Sequence, residues 1–209
     1  IMKNIAVIQR VEFIEKRNEF CDVLDQRWTD LLLSINLFPI FLPNNVSYVK
    51  KFLKTREING LLISGGGGLV KYNGSNPERD EIEKIMIDFS FKKNIPTLGV
   101  CRGMQSIQNH FDNNIQTIKN HVNKRHPLNV LDNTKIGKIL KQYDEVNSFH
   151  EYGSIKTKKD IIPLATSNDG IIEAIRHINK EIYGIMWHPE RENPFNKFDK
   201  SFLKMIFGG

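Results

Sequence analysis

The sequence is poor in cysteine: 209 residues carry only Cys21 and Cys101. Two thiols support neither a disulfide framework nor, by themselves, a structural zinc site, and a reducing cytoplasm is the expected setting. Long apolar runs are missing too. None approaches the roughly 20 residues that cross a bilayer, which excludes a helical membrane protein. No basic stretch leading into an apolar segment opens the chain, so no secretion signal is expected. Linkers rich in proline, glycine or serine, low-complexity tracts and internal repeats are also lacking. What remains, 40% hydrophobic and 26% charged residues, suits one globular domain spanning residues 2–209.

Lys and Arg total 30 against 24 Asp and Glu, an excess of six positive charges. Such an excess attracts nucleic acid, but equally a small anionic substrate. It forms no decisive block. The densest group, Lys156, Lys158 and Lys159, reads as a solvated turn, so neither a nucleic-acid nor a membrane partner is expected.

Apolar runs at residues 4–8, 38–42, 61–63 and 97–100 have the length of buried strands. Between them lie helical spacings: Leu24, Trp28, Leu31, Leu32 and Ile35, then residues 46–55, then a long helix from Pro77 to about Lys93. In that last helix Ile82, Ile85, Met86 and Phe89 are expected to face inward. Alternation of this kind favours a parallel sheet covered on both faces. After about residue 120 the pattern shortens, and 129–131, 145–147, 171–175 and 182–186 read as strands, some antiparallel.

Gly99-Val100-Cys101-Arg102-Gly103 sits between a buried strand and a predicted helix over 104–111. Small residues two before and two after a nucleophile permit the sharp strand-to-helix turn of a nucleophile elbow. That turn exposes the central side chain at the strand's carboxyl end, where open α/β sheets bind ligands. A helix N-terminus there also favours a thiolate. Cys101 is therefore the expected nucleophile, whereas Cys21 has no such turn and reads as a core or surface thiol.

Six histidines compete to be its base. In Gly184-Ile185-Met186-Trp187-His188-Pro189-Glu190 an apolar strand end delivers His188 to the sheet rim, and Glu190 follows closely enough to orient it. Ser64 and the four glycines after it follow another strand. They read as an oxyanion loop, with the N–H of Arg102 as a second donor. A phosphate cradle is the alternative, but no Lys-Ser/Thr pair follows.

These residues resemble the class I glutamine amidotransferases, whose catalytic domain carries a Cys-His-Glu triad. Gly99-Val100-Cys101-Arg102-Gly103-Met104-Gln105 fits their elbow, and Trp187-His188-Pro189-Glu190 their histidine motif. Within that superfamily, residues 62–67, Pro77-Glu78-Arg79-Asp80, 95–105, Val146-Asn147-Ser148-Phe149-His150 and 169–175 are similar to the γ-glutamyl hydrolase branch, of peptidase C26 type. The resemblance implies a three-layer α/β sandwich, flavodoxin-like, with a mostly parallel central sheet. It also implies hydrolysis of a γ-glutamyl amide without metal or organic cofactor. In this scheme Cys101 is nucleophile, His188 acid–base, Glu190 its orienter, and Gly66 or Gly67 with Arg102 the backbone oxyanion donors. The glutamyl group falls to Gln105 and the Ser148–Phe149 backbone, while His150 and Glu173 are each left between substrate contact and local packing.

That branch often has His-Gln where this chain has Glu151-Tyr152, and an acidic residue where it has Gly68, so the leaving group is expected to differ from γ-aminobutyrate. Residues 24–30 resemble a bacterial branch acting on γ-glutamyl-CDP-amidate for capsular polysaccharide modification. An anionic, nucleotide-linked small molecule is thus the implied substrate, with Arg10, Arg27 and Lys71 as potential diphosphate contacts or plain surface residues. The alternatives are a glutaminase subunit feeding ammonia to a separate synthetase, and hydrolysis of γ-glutamyl-γ-aminobutyrate or related amines.

Overall fold

Every residue of Gly60–Ile63, Thr97–Val100 and Ile182–Ile185 is buried, as is the second half of Lys3–Ile8. Runs apolar on both faces are stable only as inner strands covered from two sides. A computed structural model, which describes residues 2–158 and 160–208, shows that arrangement. Eight strands form one sheet in the order Leu37–Leu42, Lys3–Ile8, Gly60–Ile63, Thr97–Val100, Ile182–Ile185, Ile172–His177, Ile161–Thr166, Asn129–Val130. The first five are parallel to one another. The last three join antiparallel.

Helices α1 (Arg27–Leu33), α2 (Val46–Thr55), α3 (Pro77–Lys93), α4 (Arg102–His110), α5 (Lys135–Leu140) and α6 (Lys197–Phe207) complete the chain. Two apolar clusters result. One gathers Trp28, Leu31, Trp187, Phe202 and Ile206 on one face of the sheet; the other gathers Phe52, Ile82, Met86, Met104 and Ile107 on the opposite face. Helix α2 starts where Asn45 accepts the N–H of Tyr48 at 2.8 Å. Helix α3 starts on Pro77 with Glu78 and Asp80 in its first turn and stops at Asn94 in the left-handed conformation.

The three-layer α/β expectation is met, with differences in detail. Helix α3 buries Arg79, Glu83, Ile87 and Ser90 together with Ile82 and Met86, while Ile85 and Phe89 are only half-buried. Its inward face is thus rotated toward the rim of the sheet, where backbone carbonyls need donors. The hairpin of Arg10–Ile14 and Glu19–Val23, where Cys21 is half-buried, has no counterpart among the expected elements. Neither has the strand Ile161–Thr166, because Pro163 argues against a strand and is accommodated by a register irregularity. Lys156 and Lys158 are exposed, as a solvated turn requires, and Lys159 lies outside the described residues.

Sheet register sets up everything at the rim. Gly99 lies opposite Ile63 on one side and Gly184 on the other. The segments leaving these three strands, Ser64 onward, Cys101 onward and Met186 onward, therefore emerge side by side. Close approach is enforced by glycine: a methyl group on Gly103 would sit 2.2 Å from the Ile63 carbonyl oxygen, and one on Gly99 2.4 Å from the Gly103 backbone. Gly103→Ala is expected to cost about 1–3 kcal/mol through forced backbone displacement. A urea midpoint unchanged from the parent would contradict this packing.

Candidate active site

Cys101 has φ 53° and ψ −107°, a conformation that non-glycine residues avoid, and it caps the N-terminus of α4. Its N–H is held by the Ile185 carbonyl at 2.7 Å, and the Gln105 N–H reaches back to its carbonyl at 3.1 Å. The side chain is 7% exposed. The neighbouring strand brings His188 to it. Asn147 brackets the His188 backbone from both sides, accepting its N–H at 2.8 Å and donating to its carbonyl at 2.9 Å. Nδ1 of His188 meets Glu190 Oε1 at 2.7 Å, which leaves Nε2 for Cys101. Burial disfavours a charged ring here, but the neighbouring Cys101 and Glu190 outweigh it and raise the His188 pKa to about 9. Gly65 completes the contact, since a methyl group there would lie 2.6 Å from His188 Cε1 and 3.3 Å from Cys101 Cβ.

The glycine loop is clamped from behind. Arg79, 1% exposed, donates Nη2 to the Ser64 carbonyl and Nη1 to the Gly66 carbonyl, both at 2.7 Å. In a trans peptide the N–H points opposite the C=O, so tying down the Gly66 carbonyl turns the Gly67 N–H away from Arg79. Both Gly66 and Gly67 have positive φ, 90° and 72°, which glycine adopts without penalty. Arg79 Nε bonds Glu83 Oε1 at 2.9 Å, and Arg102 from the elbow helix joins the same oxygen while also meeting Asp80 at 2.5 Å. Burial lowers the Arg79 pKa to about 10 against the pull of Glu83, which still leaves the guanidinium charged at neutral pH.

A cleft of about 360 Å³ opens between these parts, lined by Gly66, Gly67, Cys101, Gln105, Phe149 and Arg191, with Gly68, Glu151, Tyr152 and the edge of His150 around them. The structure thus brings Cys101, His188, Glu190, Gly66, Gly67, Gln105 and Phe149 together. Arg102 is not among the residues that line the cleft, and its guanidinium is buried with Glu83 and Asp80. Gln105 Nε2 donates to the Tyr152 carbonyl at 3.1 Å. Ser148 turns its hydroxyl to the His121 carbonyl at 2.8 Å, and His150 gives Nδ1 to the Tyr152 carbonyl at 3.1 Å. Both imidazole nitrogens of His150 therefore face other protein groups, Nε2 lying 3.6 Å from Glu173. Glu173 is fully buried against histidines, away from the cleft.

Of the possible phosphate contacts, Arg10 pairs with Glu12 at 2.8 Å, Arg27 with Asp25 at 2.6 Å, and Lys71 bonds Asn114 at 3.2 Å. The cation in the cleft is Arg191, whose guanidinium lies 4.4 Å from the Phe149 ring centroid. Arg79 and Asn147 lie in the family-like segments 77–80 and 146–150, whose resemblance assigns them no role, and no local pattern marks Glu83 or Arg191. Arg79 and Glu83 are spaced i,i+4, a pattern that ordinarily marks a solvated helix face; only the fold shows that this pair is buried.

The peptidase C26 family model matches residues 5–190. The γ-glutamyl-CDP-amidate hydrolase of Campylobacter jejuni is 33% identical over 97% of this chain and 98% of its own length. A glutamine-hydrolysing GMP synthase subunit of Methanosarcina mazei is 26% identical over 87% of both chains. In three dimensions a glutamine amidotransferase from Thermotoga maritima superposes over the whole of both chains with TM-score 0.74 at 14% identity, which shows a common fold.

Breaking the buried ion network should be costly. Arg79→Met leaves the buried Glu83 carboxylate with Arg102 alone and strips the Ser64 and Gly66 carbonyls of their donor, and is expected to lower unfolding free energy by about 1–3 kcal/mol. Equal urea stability of variant and parent would show that the clamp carries no such charge.

Proposed function

This chain belongs to the peptidase C26 family, and we propose that it is a cysteine-dependent hydrolase that cleaves a γ-glutamyl amide through a glutamyl thioester. The observation that carries the reading is the convergence of Cys101, His188 and Glu190 at one sheet rim beside the clamped glycine loop. The Cys101 thiolate attacks the γ-carbonyl carbon, and the carbonyl π electrons move onto oxygen. The N–H groups of Gly67 and Arg102 receive that oxyanion; the Gly66 carbonyl held by Arg79 favours Gly67 over Gly66 as the loop's donor. One such donor is worth about 3–4 kcal/mol in other enzymes.

His188, as imidazolium, gives its Nε2 proton to the leaving nitrogen as the C–N bond breaks. Neutral His188 then takes a proton from water, whose oxygen attacks the thioester and releases glutamate and the Cys101 thiolate. Glu190 accepts the Nδ1–H throughout and keeps the ring in place. Gln105, the backbone at Ser148 and Phe149, and the edge of His150 form the glutamyl wall. No step calls for a metal or organic cofactor.

For the leaving group we favour an anionic, nucleotide-linked amide, γ-glutamyl-CDP-amidate, which would place the enzyme in capsular polysaccharide modification in the cytoplasm. The 33% identical Campylobacter relative and Arg191 at the cleft support it. The GMP synthase relatives support a second reading, a glutaminase that passes ammonia to a separate synthetase.

Two measurements test the proposal. Glutamate release from γ-glutamyl-CDP-amidate, glutamine and γ-glutamyl-γ-aminobutyrate is expected to be fastest for the first and to vanish in Cys101→Ala. Retained turnover in that variant overturns the nucleophile, and preference for either other amide overturns the substrate. The pH profile tests the base. Because the His188 pKa is raised to about 9, the proton needed by the leaving group persists through neutrality and is lost as pH passes about 9. Glu190→Gln removes a group that raises it, so the alkaline limb should move to lower pH. An unshifted limb would remove Glu190 from its role.

A further inference from the structure

Behind the Phe149 side of the cleft, one carboxylate is surrounded by three imidazoles. Glu173 Oε1 lies 3.3 Å from His121 Nδ1, 3.5 Å from His126 Nε2 and 3.6 Å from His150 Nε2. The carboxylate is fully buried, and the His121 and His150 side chains are 4% and 1% exposed. The ligand atoms of His121, His150 and Glu173 all fall within 4.8 Å of one another. Among the described residues, His126 Nε2, His150 Nε2 and both Glu173 oxygens lack a well-formed hydrogen bond.

The opposite nitrogen of each ring decides what the inner one offers. His121 Nε2 meets the Asp169 carboxylate at 3.1 Å, His150 Nδ1 the Tyr152 carbonyl at 3.1 Å, and His126 Nδ1 the Pro127 carbonyl at 3.2 Å. These partners only accept, so each outer nitrogen carries the proton. The inner nitrogens of neutral rings then present three lone pairs to a carboxylate that also offers only lone pairs. The Ser148 hydroxyl gives its proton to the His121 carbonyl, so its oxygen, 3.3 Å from His121 Nδ1, can only accept there. A proton on His121, favoured by Glu173 and Asp169, satisfies that ring and leaves His126 and His150 opposed to the carboxylate.

We propose that His121, His150 and Glu173, with His126 beside them, form a binding site for a divalent transition cation, with zinc the best match. Imidazole and carboxylate are donors of the kind that zinc takes. With zinc–ligand bonds of about 2.0–2.1 Å, the edges of a tetrahedron are roughly 3.3–3.4 Å, close to the separations around Glu173. Outer partners on all three rings are the usual orientation device of metal-bound histidine. Three ligands come from His121, His150 and Glu173, and the fourth position falls to His126 or to water. A bound ion would tie the segment carrying His121 to the strand Ile172–His177 and to His150, fixing the wall that ends at Tyr152. The histidines are too widely spaced in sequence, at 121, 126 and 150, to form a familiar zinc motif, and no cysteine takes part.

The test uses the full chain in a Cys101→Ala background, so that the nucleophile supplies no ligand. Zinc is titrated in competition with a chromophoric chelator, and metal content is measured after desalting. One zinc per chain is expected, with a rise in Tm and, on cobalt(II) substitution, the intense visible bands of a four-coordinate centre. Glu173→Gln should abolish stoichiometric binding. Asp169→Asn alters an exposed residue whose carboxylate meets the outer nitrogen of His121 and the Ser167 hydroxyl, and should weaken binding by about 10–100-fold while leaving the fold intact. Failure of the parent to take up zinc at micromolar concentration, or equal affinity in parent and Asp169→Asn, overturns the site. These readouts are independent of turnover.

Discussion

The clamp of Arg79 on the Ser64 and Gly66 carbonyls is the constraint on which the rim depends. A run of four glycines has no side chains to hold it and a large conformational entropy to lose. Its shape must be imposed from outside. Arg79 does this with a planar fork that meets two carbonyls, and Glu83 balances the charge that burial would otherwise make prohibitive. Because Arg102 from the elbow helix shares Glu83, loop and elbow are joined through a single carboxylate oxygen. The glycine loop and the start of the elbow helix are thereby fixed relative to one another.

The same logic applies to the histidine. Its ring is oriented by Glu190, and its backbone is gripped by Asn147, which also donates to Glu192 at 2.8 Å. Trp187, immediately before it, is anchored by its indole N–H to Asp199 at 3.0 Å. Asp199, whose carboxyl burial raises to a pKa of about 6, also receives the Tyr143 hydroxyl at 2.7 Å. A short apolar strand end thus becomes a rigid mount for the imidazole. Preorganisation of this kind removes the reorganisation cost from the reaction step.

The parallel inner strands, helices α2 and α3, the cysteine elbow and the His-Pro-Glu turn were all legible in the sequence. Each is a local pattern: a buried apolar run, a 3.6-residue period, or glycines flanking a strained residue. The hairpin at Arg10–Ile14 and the strand broken by Pro163 were not, because their stability comes from neighbours distant in sequence. Arg79 and Glu83 illustrate the general difficulty. A charged pair at i,i+4 looks the same in sequence whether it faces water or a ring of backbone carbonyls.

Burial period and turn chemistry are short-range properties, so the amino-acid order alone was enough to specify the α/β framework and to single out Cys101, His188 and Glu190, which the fold brings together at one sheet rim. Which charges were removed from water was settled by the fold in three dimensions. It placed Arg79 behind the loop, Arg191 over Phe149 at the cleft, and three histidines spread over thirty residues around Glu173. Those placements follow from strand order and register, which join segments that no local pattern connects.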